Sequence, residues 1–146
     1  MEMHDWWMTP EKVKEFESFM AKAIEGDADA QHSVGIKYDE GYGVAKDQVQ
    51  AAMWWRKAAE QGHVWAQNNL GVCYLYGQGV VENKIEAYAY MQLAGMEWSE
   101  ETNDIRWNAA RLRAELSIDE IAAGEERTRE LQKEIEAKIA AKKAGK

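Results

Sequence analysis

The sequence predicts an all-α solenoid of about seven antiparallel helices, and three observations carry that prediction. The chain matches itself at an offset of 36 residues: Ala30-Gln31 falls on Ala66-Gln67, Gly35 on Gly71 and Tyr38 on Tyr74. Gly41-Tyr42-Gly43-Val44 likewise falls on Gly77-Gln78-Gly79-Val80, Ala51 on Ala87, Trp54 on Tyr90 and Ala58 on Ala94. A period of this length is the mark of stacked supersecondary units. Within each unit the apolar residues recur at helical spacing, Ala30, Val34, Tyr38 and then Ala66, Leu70, Tyr74, at i, i+4 and i+8 on one face. Finally, a single proline among 146 residues leaves long stretches with nothing to interrupt a helix.

Taken in order, residues 10–26 form an N-terminal capping helix. Thr9 is its expected N-cap, and Pro10 and Glu11 suit its first turn. Val13, Phe16, Phe19, Met20, Ala23 and Ile24 make an apolar stripe ending at Gly26. Gly26 lies 36 residues before Gly62, so this helix is the second half of an incomplete leading unit. Residues 27–62 are repeat 1 and residues 63–98 are repeat 2, each read as helix, glycine loop, helix. Gly35 and Gly71 lie inside the first helices, where glycine costs about 1 kcal/mol against alanine; a close approach by a neighbouring helix accounts for them. The loop glycines Gly41, Gly43, Gly77 and Gly79 are expected at positive φ. In the second helices, Ala51, Trp54, Trp55, Ala58, Ala59 and Ala87, Tyr90, Met91, Ala94 alternate large with small, as knobs and holes require. Residues 99–141 are a degenerate repeat and a C-terminal capping helix. Here Thr102 to Glu115 keeps the phase of a first helix with Trp107 in the glycine position, and Ser117-Ile118-Asp119-Glu120 starts the last helix. That helix carries Ile121, Leu131, Ile135 and Ile139, and residues 142–146 are a fraying tail.

Composition narrows the function. Hydrophobic residues at 46% and charged residues at 30% are globular values. A net charge of −8 argues against nucleic acid, which needs a basic face. No run of 18 apolar residues occurs, so no membrane insertion is expected. The N-terminus has neither a basic start nor a long apolar stretch. With Cys73 alone, no disulfide framework is available, and the expected location is the cytoplasm. The excess charge is uneven: residues 1–98 carry 15 acidic and 8 basic side chains, residues 99–146 carry 11 and 10. A basic partner steered by the repeat body is one reading and plain solubility the other.

The run from Ala51 to Gly62, Ala-x-x-Trp-Trp-Arg-Lys-Ala-Ala-Glu-Gln-Gly, is followed by Ala66-Gln67, Leu70-Gly71 and Tyr74. With the Gly-x-Gly-Val loops at 41–44 and 77–80, it resembles the Sel-one-like repeat (SLR) family from Asp27 to Glu97. The second unit departs at its end, with Gln92-Leu93-Ala94-Gly95 where the first has Lys57-Ala58-Ala59-Glu60. The resemblance implies a right-handed α/α superhelix, similar to tetratricopeptide arrays, whose first helices line a concave groove. It implies an adaptor or scaffold binding another protein or peptide, with no shared catalytic residue. Similar bacterial proteins act in signalling, envelope and secretion settings, and some neutralise toxic effectors. A dedicated inhibitor or immunity protein is therefore the alternative, and a hydrolase a remote one.

If the helices pack in the tetratricopeptide manner, the groove positions follow from the Leu-Gly landmark. Repeat 1 then offers Asp29, His32, Ile36, Asp39 and Glu40, and repeat 2 offers Trp65, Asn68, Val72, Leu75 and Tyr76. The degenerate unit offers Glu101, Asp104, Asn108 and Arg111. Trp65 and Tyr76 either anchor a peptide carrying Lys or Arg or pack between helices. Trp54, Trp55, Tyr88 and Tyr90 read as core. Trp6-Trp7 has no repeat counterpart, and either staples the first helix or mediates self-association.

No catalytic residue, cofactor or metal site is assigned. His4, His32 and His63 sit in separate segments without ligand spacing. Cys73, just before the repeat tyrosine, is expected to be half-buried and inert. Asp39-Glu40 and Glu100-Glu101 read as solvated helix ends, and no strand or Gly-Lys-Ser/Thr accompanies the glycine loops, so they are not phosphate cradles.

Overall fold

The computed structural model describes residues 8–97 and 99–145, and Trp6-Trp7 and His4 lie outside them. Among the described residues there are seven helices and no strand: α1 (Pro10–Ile24), α2 (Ala28–Glu40), α3 (Gln48–Ala59), α4 (Val64–Tyr76), α5 (Lys84–Gly95), α6 (Asn103–Glu115) and α7 (Ile118–Ala144). The architecture is an all-α solenoid. Each helix packs on the next from α1 to α6, and then α7 turns back onto α5.

The helix starts are set locally. Asp27 accepts from Ala30 N at 2.9 Å and Asp47 from Gln50 N at 3.0 Å. At the matching positions one repeat later, His63 Nδ1 accepts from Ala66 N and Asn83 accepts from Ile85 N and Glu86 N. Ser117 and Glu120 close a reciprocal capping box on α7. Only glycine suits the loops at 43 and 79. Both have positive φ, and a Cβ would stand 2.2 Å from Lys12 O at Gly43 and 2.1 Å from Gln48 O at Gly79. Each loop is thereby seated on the start of the preceding unit's second helix.

The core runs the length of the stack. Ala23, Ala30, Val34 and Trp54 fill its N-terminal part. Trp55, Ala58, Ala59, Ala66, Leu70, Cys73 and Tyr90 fill the middle, joined by Leu131 of α7. Tyr88, Met91, Leu112 and Leu116 fill the far end. The four aromatics expected in the core, Trp54, Trp55, Tyr88 and Tyr90, are all buried. Cys73 is fully buried rather than half-buried, and burial pushes its thiol up to about 11. Arg56 of α3 ties the repeats together, donating to the hydroxyls of Tyr74 at 2.5 Å and Tyr90 at 3.5 Å, whose rings stack 5.9 Å apart.

The last helix does not close the end of the array. At 27 residues it is about 40 Å long, and it lies along the back of the stack. Gly124 takes the ring of Tyr88 against its backbone, and Thr128 donates to Gln92 Oε1 at 2.8 Å. Arg127 binds Glu86 at 2.6 Å, Lys138 binds Glu60 at 2.8 Å, and Lys142 donates to Gln61 at 2.7 Å. The sequence of contacts, from α5 to the α3–α4 turn, shows α7 bracing the second helices and leaving α2, α4 and α6 open on the other side.

Candidate functional site

Clefts border the first helices α2, α4 and α6. One, about 410 Å³, lies between α4 and α6 with Met91 of α5 at its floor. Val72, Leu75 and Tyr76 form one wall and Asn108, Arg111 and Glu115 the other, with the buried Leu112 beside Met91. Val72, Leu75, Tyr76, Asn108 and Arg111 are five of the expected groove residues, brought together from two repeats. Tyr76 is 67% exposed and Trp65, at the other end of α4, 39%. Both rings therefore present area to solvent. Arg111 donates to Asn108 Oδ1 from the next turn, which holds the guanidinium along the cleft wall.

A smaller cleft, about 240 Å³, lies between α1 and α2 and includes Ile36 and Glu40. Its cation is Lys37, 3.5 Å from Glu15 and beneath the ring of Tyr42 at 4.2 Å.

Among the other expected groove positions, His32, Asp29 and Asp39 make contacts between helices. His32 stacks on His63 with centroids 4.6 Å apart, and its Nε2 is 3.2 Å from Asn69 Nδ2. Its carbonyl accepts from Trp55 Nε1. Burial, reinforced by the His63 charge, lowers the His32 pKa to about 4, so the ring is neutral at physiological pH. Asp29 is exposed, with Oδ1 3.0 Å from His63 Nε2. Asp39 accepts from Gln48 at 2.9 Å, fastening α2 to the start of α3. Asn68 is buried with no partner for its Oδ1 among the described residues. Glu101 and Asp104 are exposed around the start of α6.

A further cleft, about 490 Å³, is on the opposite side, between α3 and α7, where Lys57, Lys138, Lys142 and Lys143 face Glu60 and Gln61. Its signal in the sequence is faint. Lys138 and Lys142 are four apart on one helix face, but nothing local says that α3 is their neighbour. Among the described residues, no three His, Cys, Asp or Glu side chains converge on a point that could hold a metal. No described helix is long and apolar enough to cross a membrane.

The Sel1 repeat family model matches residues 28–63 and 66–97, the two helix–loop–helix units whose glycines and tyrosines form the stack just described. The chain contains two Sel1 repeats. A protective antigen of uropathogenic Escherichia coli with an SLR fold is similar at 31% identity over 89% of this chain and 27% of that one, with a TM-score of 0.78. A Sel1 repeat protein from Oxalobacter formigenes is similar at 33% identity over 57% of this chain and 35% of its own, with a TM-score of 0.56. The chain thus spans about a third or less of each of these relatives. No protein of curated function matches the sequence.

Placed on the Sel1 repeats, the front cleft lies between the first helix of repeat 2 and α6, the helix that follows the second matched repeat. The α1–α2 cleft lies where repeat 1 meets the helix before it.

Proposed function

We propose that this protein is a binding module that takes a segment of another protein into the groove formed by α2, α4 and α6. Sel1 repeat arrays are a protein–protein interaction scaffold. The observation that carries the finer reading is the α4–α6 cleft. Val72, Leu75 and the exposed Tyr76 surround an apolar floor of Met91 and Leu112, with Asn108, Arg111 and Glu115 at the rim. An apolar centre with a polar rim is the usual anatomy of a binding hot spot, and tyrosine supplies contact area at small entropic cost.

The occupant is an extended or helical peptide with one apolar anchor for this cleft and Lys or Arg residues toward repeat 1. There Asp29 and Glu40 are exposed. The acidic excess of residues 1–98 speeds encounter with such a partner. The protein works without catalysis, as an adaptor, in the cytoplasm, where a single buried Cys73 suits a reducing medium.

The test compares capture of partners from lysate by wild type and by Trp65→Ala/Tyr76→Ala, with circular dichroism confirming that the variant folds. Calorimetry then follows on the recovered protein. Loss of the partner from the folded variant supports the groove; retention at wild-type affinity refutes it. One nanomolar partner would indicate a dedicated inhibitor, several weaker ones an adaptor.

A further inference from the structure

In both repeats the first helix is covered by the second helix of its own unit. The ring of Trp55 in α3 lies against Gly35 of α2, and Met91 and Ala87 of α5 lie against Gly71 of α4. The residue at that position in α6 is Trp107, and no second helix covers it. The cause is the connection. Seven residues, 41–47 and 77–83, join the two helices of each repeat, but only Leu116 and Ser117 separate α6 from α7. With the Ser117 capping box starting the new helix at once, α7 has no slack to fold back on α6, and its Gly124 and Thr128 settle on α5 instead. As a result Trp107 is 62% exposed, and Asn103, Ala110, Arg111 and Ala114 on the same face are exposed with it.

We propose that this face of α6 is a homodimer interface, closed by α6 of a second copy running antiparallel. The argument for a second copy is charge and shape complementarity of the face with itself. Asp104 and Arg111 are seven residues apart, two helical turns, and so lie on the same flank. In an antiparallel pair like flanks meet. A two-fold axis midway between them, beside Trp107, brings Asp104 of each copy next to Arg111 of the other, giving two reciprocal ion pairs. On that axis the two Trp107 rings lie side by side. Each leans toward its own N-terminus, which is the direction of the partner's Ala110 and Ala114, whose small side chains allow close helix approach. Arg106, the neighbouring cation, lies over Gly95, turned away from the axis. Arg111 also borders the α4–α6 cleft, but Trp107 and Asp104 do not line it, so the Trp107→Ala and Asp104→Arg arms of the test are independent of groove binding.

Sedimentation velocity from micromolar to millimolar protein, with circular dichroism on every variant, decides it. Wild type should show a concentration-dependent dimer, and Trp107→Ala should be a folded monomer throughout. Asp104→Arg and Arg111→Asp should each weaken dimerisation by roughly tenfold or more, and Asp104→Arg/Arg111→Asp should restore it. A wild type that stays monomeric overturns the proposal and leaves the face to a helix of a different protein. A dimer that survives Trp107→Ala, or single charge reversals that the double variant fails to rescue, also overturns it.

Discussion

Gly35→Ala tests the packing logic of the repeat most directly, because two known effects oppose each other there. Gly35 is in the interior of α2 with ordinary helical backbone, so alanine should stabilise the helix by about 1 kcal/mol. The added Cβ, however, would stand 2.4 Å from Trp55 Nε1 and 2.5 Å from Cδ1. The indole cannot swing aside freely: it is 6% exposed and its Nε1 donates to His32 O at 3.2 Å. Displacing it costs about 1–3 kcal/mol for overpacking and about 1–3 kcal/mol if the buried donor loses its acceptor. With both costs present, the net expectation is destabilisation by about 1–5 kcal/mol. In a Trp55→Ala background the obstruction is gone and the same substitution should stabilise by up to about 1 kcal/mol. Urea unfolding followed by far-ultraviolet circular dichroism on all four proteins measures this cycle. Gly35→Ala that stabilises the wild-type background, or an equal penalty in both backgrounds, would refute the reasoning.

Three further outcomes follow from the same structure. Gly79→Ala should cost about 2–4 kcal/mol, more than Gly77→Ala, because both have positive φ but a Cβ at Gly79 would stand 2.1 Å from Gln48 O, whereas one at Gly77 would come no nearer than 3.4 Å to Glu82; comparing their thermal midpoints checks the order. The lowered pKa of His32, about 4 against the usual 6.5, means the unfolded chain binds more protons between those values. Its stabilising contribution is therefore complete above about pH 6.5 and lost as pH falls toward 4, so His32→Gln should flatten the acid limb of a stability–pH curve. Cys73, buried with its thiol raised to about 11, should resist a thiol reagent in the native protein and react at the rate of opening as denaturant is added; immediate labelling of native protein would contradict this.

Much of the fold was legible from one sequence because repetition makes each position its own control. The 36-residue offset located both glycine loops, both in-helix glycines and the aromatic–alanine stripes, and Thr9 and Ser117 were legible as N-caps; Asp27, Asp47, His63 and Asn83, which cap the helices between them by equally local bonds, were not singled out. The groove was partly legible. Val72, Leu75, Tyr76, Asn108 and Arg111 could be counted from the Leu-Gly landmark, and Leu112 and Glu115 follow on the same face of α6, but Met91 could not, since it reaches the cleft floor from α5. His32 and Asp39 illustrate the same limit. The spacing puts both on the groove side, while the partners that engage them, Asn69, His63 and Gln48, depend on how closely neighbouring helices approach.

The sequence by itself determined the secondary elements, their order and the repeating core, because capping, helical period and glycine geometry act within a few residues. Only the tertiary structure decided where α7 goes. Its amphipathic stripe says that one face is buried but not against what. The short link at Leu116-Ser117, together with the hole that Gly124 offers to Tyr88, sends it along the back of the array. That single placement creates the lysine-lined cleft behind α3 and leaves Trp107 uncovered at the end.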